Sequence, residues 1–178
     1  MGYREYAKDY KIEYVTGPGQ KRPRAERVYV GPWFRFSEPA DRIRFLRWFY
    51  LIGVAAVAVA LLIPMCFDSL FTRIWYIQVV AMVAWIPWVF AVCATWRLWT
   101  AKEKVTREHR DMLESRMSPA CLFVAIFSLF SFGGCVYAAF KYPITAPDYV
   151  VAVCCFLSSA CGLAMFSRRK QLKMVQTD

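Results

Sequence analysis

The residue types that most often do chemistry are few in this chain, and their placing says what they are for. Seven cysteines stand at Cys66, Cys93, Cys121, Cys135, Cys154, Cys155 and Cys161. None forms the C-x-x-C pair that lowers a thiol's pKa and prepares it for disulfide exchange. All lie in or at the end of apolar runs, where a thiol serves as a small packing residue. A contact between Cys135 and Cys154 is geometrically possible between adjacent apolar runs. The single histidine, His109, sits in a charged stretch with no second histidine to share a metal, so it reads as a solvated side chain. The sequence holds no Gly-rich phosphate loop, no Ser-His-Asp set and no metal-ligand spacing. We therefore assign no catalytic, cofactor-binding or metal-binding residue, and expect no cofactor.

The elements that carry these residues are apolar. The chain is 58% hydrophobic with a mean hydropathy of +0.32, against about 45–50% apolar residues in an ordinary soluble domain. Charge-free runs cover 48–67, 74–96, 117–140 and 149–167. Each meets the roughly 20 residues needed to cross about 30 Å of hydrocarbon. None has the polar face of a surface helix. The separators 68–73 and 141–148 are short, so the flanking runs must be antiparallel neighbours. The expected fold class is an all-α membrane protein, a four-span transmembrane helix bundle of two antiparallel helical hairpins. A basic tail over 1–36, hairpin-like and cytoplasmic, precedes the bundle at 37–178. The loop 97–116 and the segment 168–178 are expected on the same side as the tail. No cleavable signal peptide is evident.

Loop charge sets the orientation. Of the 23 Lys and Arg residues, only Arg73 and Lys141 fall on the far side. The positive-inside rule makes the richer side cytoplasmic. The net charge of +10 then faces a leaflet whose anionic headgroups attract basic segments. Nucleic acid is not an expected partner, because the charge follows from topology and no nucleic-acid-binding motif is present.

Along the tail, residues 10–15 alternate as a strand, 17–24 read as a turn and 27–31 as a return strand. A lone hairpin is marginal in water, so it needs a surface. Lys21, Arg22 and Arg24 are candidates to meet headgroups or an acidic partner. Trp33, Phe34 and Phe36 are candidates to enter the interface. Arg42, Arg44 and Arg47 can snorkel to headgroups from the start of the first helix, which Ser37 is placed to cap near residue 38. The central stretch 100–118 is rich in helix formers. It is expected to prolong the second helix, with Glu103 and Arg107 as an i, i+4 pair, and Ser118–Pro119 is expected to start the third span.

Within the spans, Pro87 predicts a kink and Gln78 is the one strongly polar amide. Gln78 is expected to bond a neighbouring helix or a partner's helix. Small residues mark close helix contacts: Gly53, with Ala56 and Ala60, in the first span; Ser131, Gly134 and Cys135 in the third; Cys154, Ser158 and Gly162 in the fourth. No ionisable residue lies inside a span except at its ends, which argues against a proton-coupled pump. The function expected is that of a non-enzymatic accessory, scaffold or regulatory subunit of a membrane complex. It would contact membrane lipid and another membrane protein or a second copy of itself. The alternatives are a small oligomeric transporter or channel-like carrier and, less favoured, a membrane thiol oxidoreductase.

Overall fold

The computed structural model describes residues 6–15 and 24–177. The turn expected at 17–24 is almost wholly outside them, as are the headgroup candidates Lys21 and Arg22 and the side chain of Arg24. The tail forms an antiparallel pair, β1 (Tyr10–Val15) with β2 (Arg24–Tyr29), in which Tyr10 faces Tyr29. A third strand, β3 (Trp33–Phe36), leads to the first span.

Among the described residues, four helices are long and apolar enough to cross a membrane. The first is α1 (Ala40–Leu62), closed by a 3-10 turn at Ile63–Cys66. A short helix, α2 (Leu70–Arg73), reverses the chain. The second span is split into α3 (Trp75–Val83) and α4 (Trp85–Thr100). The third begins as α5 (Arg107–Asp111), passes through a π-helical turn at Met112–Met117 and continues as α6 (Ser118–Lys141). The fourth is α7 (Ala146–Ser167), followed by a 3-10 turn at Arg168–Leu172 and strand β4 (Met174–Thr177). The spans pack as a ring: α1 on α4 and α7, α6 on α7, and α3 and α4 on α6. Large apolar side chains such as Phe45, Ile52, Phe90, Phe130 and Phe140 point outward. A water-facing surface rarely carries so much apolar area; in a bilayer it is the lipid face.

Three expectations about helix ends are corrected. Ser37 does not cap the first helix; Pro39 holds that position and supplies no side-chain bond. The central stretch prolongs the third span, not the second. The second helix stops at Thr100, and Ala101–Thr106 is non-helical apart from a bridge at Val105. Glu103 and Arg107 therefore do not share a helix, and the ion pairs here are Arg97–Glu108 and Arg110–Glu114. Ser118 and Pro119 lie inside the continuous third helix. The π turn just before them gives room to a proline that has no N–H and would crowd the carbonyl four residues back.

Pro87 has the same effect on the second span. The helix breaks at Ala84, between α3 and α4, next to the carbonyl of Val83 that the Pro87 ring would crowd. Above the break α3 leans on α6, while α4 below it packs on both α1 and α6.

Small residues govern the closest helix contact. A methyl group added at Gly162 would lie 2.9 Å from the Ala125 backbone nitrogen and 3.0 Å from the Cys121 carbonyl oxygen. Ser128 and Ser158 bond hydroxyl to hydroxyl at 3.0 Å across the same seam. Gly134 faces a different neighbour: its missing side chain makes room for Ile77 of α3. Gly53 gives room to the Met165 thioether, whereas Ala56 is turned outward. Gly162→Ala is therefore expected to destabilise the bundle by about 1–3 kcal/mol through overpacking against rigid backbone. Gly53→Ala, which meets only the flexible end of Met165, is expected to change far less. Thermal unfolding of both variants in detergent checks the order.

Candidate functional site

Polar side chains collect at the two ends of the bundle, and each end builds a distinct site. At the end with the short loops, Asp148 is fully buried and Ser69 is 2% exposed. Asp148 belongs to a T-x-x-D capping box at the start of α7, in which the acid satisfies helix N-terminal donors. Its Oδ2 accepts from the Thr145 backbone N–H at 2.8 Å and the Thr145 hydroxyl at 2.6 Å. Its Oδ1 accepts from the Ser69 hydroxyl at 2.6 Å and, more weakly, from the Phe71 N–H at 3.4 Å. Ser69 is itself the cap of α2. One carboxylate thus ties the loop of the first helical hairpin to that of the second. The cue was in the sequence, as Thr145 three residues before Asp148 at the head of an apolar run, but charge counting alone reads Asp148 as a loop charge.

Beside this tie lies a cleft of about 370 Å³ between the end of α1 and α3, whose lining includes Ala60, Met65, Phe71, Gln78, Met82 and Cys155. It lies beside α3, the part of the second span on the far side of the break from α4. Gln78 is exposed to it, and among the described residues its amide has no hydrogen-bond partner. Cys135 packs with Cys155 of the neighbouring helix, in place of the expected contact with Cys154. Both thiols belong to one apolar cluster with Phe71, Ile77 and Val151. All seven cysteines are free. Cys154 is buried, as are Pro87 and Ser131, and the Ser131 hydroxyl has no partner among the described residues.

The opposite end is a folded cap made from three distant parts of the chain. Strand β3 pairs antiparallel with β4, Trp33 opposite Thr177 and Phe36 opposite Met174. On its other side Phe34 exchanges both backbone bonds with Val105, at 3.0 and 2.9 Å. Glu114 fastens the far strand by accepting from the Met174 N–H at 2.7 Å while it accepts from Arg110 at 3.1 Å. Phe34 is 4% exposed. It is packed against Ala101 and Val105 with the Arg110 guanidinium 4.7 Å from its ring, so it seals the cap instead of entering lipid. Trp33 stays exposed, edge-on to Tyr29 at 5.0 Å.

The β1–β2 hairpin rests on this cap. The Tyr29 hydroxyl accepts from the Arg107 N–H at 3.0 Å and donates to the Pro32 carbonyl at 2.8 Å. Burial raises the Tyr29 phenol above its ordinary pKa, which keeps it in the neutral form these two bonds require. Tyr6 adds a bond to Asp111 at 3.0 Å. His109 is half-buried on the end of α4, its Nε2 3.2 Å from the Arg97 carbonyl; it is a packed residue and not a solvated one. Among the headgroup candidates, Arg42 and Arg44 are exposed, and Arg47 is half-buried and donates to the Ala101 carbonyl. Among the described residues no three His, Cys, Asp or Glu side chains converge as a metal site. No family model, curated protein or solved structure matches the chain.

Two substitutions probe the two ends. Asp148→Asn turns an amide nitrogen towards donors on at least one side and is expected to destabilise by about 2–4 kcal/mol, as for other broken buried charge networks. Chemical denaturation in micelles measures the loss, and faster amide exchange over 68–73 locates it. Tyr29→Phe removes both hydroxyl bonds and is expected to loosen the hairpin by about 1–2 kcal/mol. Limited proteolysis should then cut before residue 32 while the spans stay protected.

Proposed function

We propose that this multi-pass membrane protein is a non-enzymatic accessory or scaffold subunit of a larger membrane complex, with the basic cap as its cytoplasmic contact surface. The observation that carries the reading is the weaving of three chain segments into one cap. Basic residues that act only as topology signals need no fold. Here the segments before the first span, between the second and third, and after the fourth are hydrogen-bonded to one another. The cap also presents apolar side chains among its charges. Ile12, Val30 and Val175 are 63%, 49% and 61% exposed, near the exposed cations Lys11, Lys170 and Lys173. Mixed apolar and basic surface on a rigid support suits a partner with an acidic, partly apolar face.

The expected result is that one partner co-purifies with the wild type in mild detergent. A Lys170→Glu, Lys173→Glu, Val175→Ser variant that keeps the wild-type melting temperature is expected to lose it. A wild type that purifies without any recurring protein, in several mild detergents, would overturn the proposal. The cleft near Gln78 favours a second reading, an oligomeric carrier, because its open amide could meet a solute. Solute flux into liposomes, abolished by Gln78→Leu, is what that reading requires.

A further inference from the structure

The cap and the first helix enclose a pocket that the partner reading does not use. It has a volume of about 620 Å³, and its walls come from β3, the start of α1 and the loop after α4. Four cations line it, Arg35, Arg44, Arg47 and Lys102, against two carboxylates, Glu38 and Glu103. Ion pairs do not account for the four cations. Among the described residues none of them has a carboxylate partner within ion-pair distance. Arg35, Arg44 and Lys102 make no side-chain hydrogen bond there either. Arg47 spends one nitrogen on the Ala101 carbonyl, and its Nε is enclosed without a partner among the described residues. Like charges held together in a half-enclosed space repel one another unless an anion joins them.

The backbone adds to this field. Ala40, the first residue of α1, is part of the wall. Among the described residues no side chain caps that helix end, and the first helical bond to be closed is from the Ile43 N–H to the Pro39 carbonyl. The N–H groups of the preceding turn are left without helical partners, at the positive end of a 23-residue helix. Spacing directs the side chains: Ala40, Ile43, Arg44 and Arg47 fall on one face, whereas Arg42 falls outside the pocket.

We propose that this pocket binds the phosphate of an anionic membrane lipid. The depth selects a lipid over a soluble anion. Immediately below Arg47, Trp48 is 52% exposed and meets Trp99 edge-on at 5.0 Å, and Phe45 beside it is 54% exposed. That aromatic pair marks the headgroup level, so acyl chains attached to the bound phosphate descend along an apolar surface. Guanidinium groups suit the ligand because they fork onto phosphate oxygens. The site takes in a lipid from the side, in a leaflet the protein already spans.

Native mass spectrometry of the full-length, delipidated protein tests it. Phosphatidylglycerol, phosphatidylcholine and inorganic phosphate are titrated separately. The wild type is expected to retain one phosphatidylglycerol in preference to phosphatidylcholine, and inorganic phosphate is expected not to compete at matched concentration. Arg44→Gln with Lys102→Gln, both exposed and without side-chain bonds among the described residues, is expected to weaken that retention about 25-fold, since each headgroup-level charge contributes on the order of a fivefold factor. Arg42→Gln with Lys141→Gln removes equal charge outside the pocket and is expected to retain wild-type binding. Equal retention by the two double variants would overturn the site. Full displacement by inorganic phosphate would overturn its assignment to a lipid. Loss of the protein partner in the cap variant with lipid retention intact separates this site from the partner-contact reading.

Discussion

Hydrocarbon offers no hydrogen bonds, so a polar group placed in it is costly unless it finds a partner inside the protein. That constraint arranges the whole molecule. Between the two ends, helices meet through van der Waals contact and a few tethers. Tyr50 reaches the Met165 carbonyl at 2.8 Å, Trp88 the Val54 carbonyl at 3.1 Å, and Ser128 meets Ser158. Since lipid tails are as apolar as the side chains, packing must come from close fit. The absence of a side chain at Gly162 matters for that reason. At the ends, where water returns, polar groups are used in quantity to fix the loops and build the cap.

The two ends answer different mechanical needs. The short loops leave little chain to hold, and one carboxylate suffices because it collects donors from both helical hairpins. At the basic end the three segments are far apart in sequence. No single side chain could bind them, and they are joined through backbone pairing, with Phe34 beneath as a plug and Glu114 as a clasp. Between the ends, the break near Pro87 lets the second span serve two neighbours at once. Its lower half completes the core with α1, and its upper half supports α6 and leaves the cleft open.

The spans, their antiparallel order and the shared end of the basic segments were legible in the sequence, because hydropathy and charge act over many residues and tolerate local error. The strands at 10–15 and 24–29 were close to legible for the same kind of reason, a period-two pattern beside turn residues. What was not legible depends on contacts between distant residues. Helix propensity in 100–118 favours a helix throughout. The pairing of Val105 with Phe34 overrides it and hands the remainder to the third span. Phe34 looks like its neighbours Trp33 and Phe36 until β4 and Val105 cover it. Arg35 and Lys102 lie on segments separated by two spans, so no local pattern brings them to the same pocket as Arg44 and Arg47. Cys155, and not Cys154, meets Cys135 because helix rotation, which small residues on both faces leave undetermined, decides between adjacent thiols.

The pairing of β3 with β4 also imposes a chronology. Strand β3 leaves the ribosome before any span, and β4 only after all four. A strand edge must therefore wait, unpaired, while the whole bundle inserts. During that interval Phe34 has no cover on the β4 side and Glu114 no backbone N–H to hold. Such an edge is adhesive, and contacts this distant in sequence form slowly. Closure of the cap thus reports that the fourth span has been made: until β4 follows it, β3 keeps an open edge at the membrane surface.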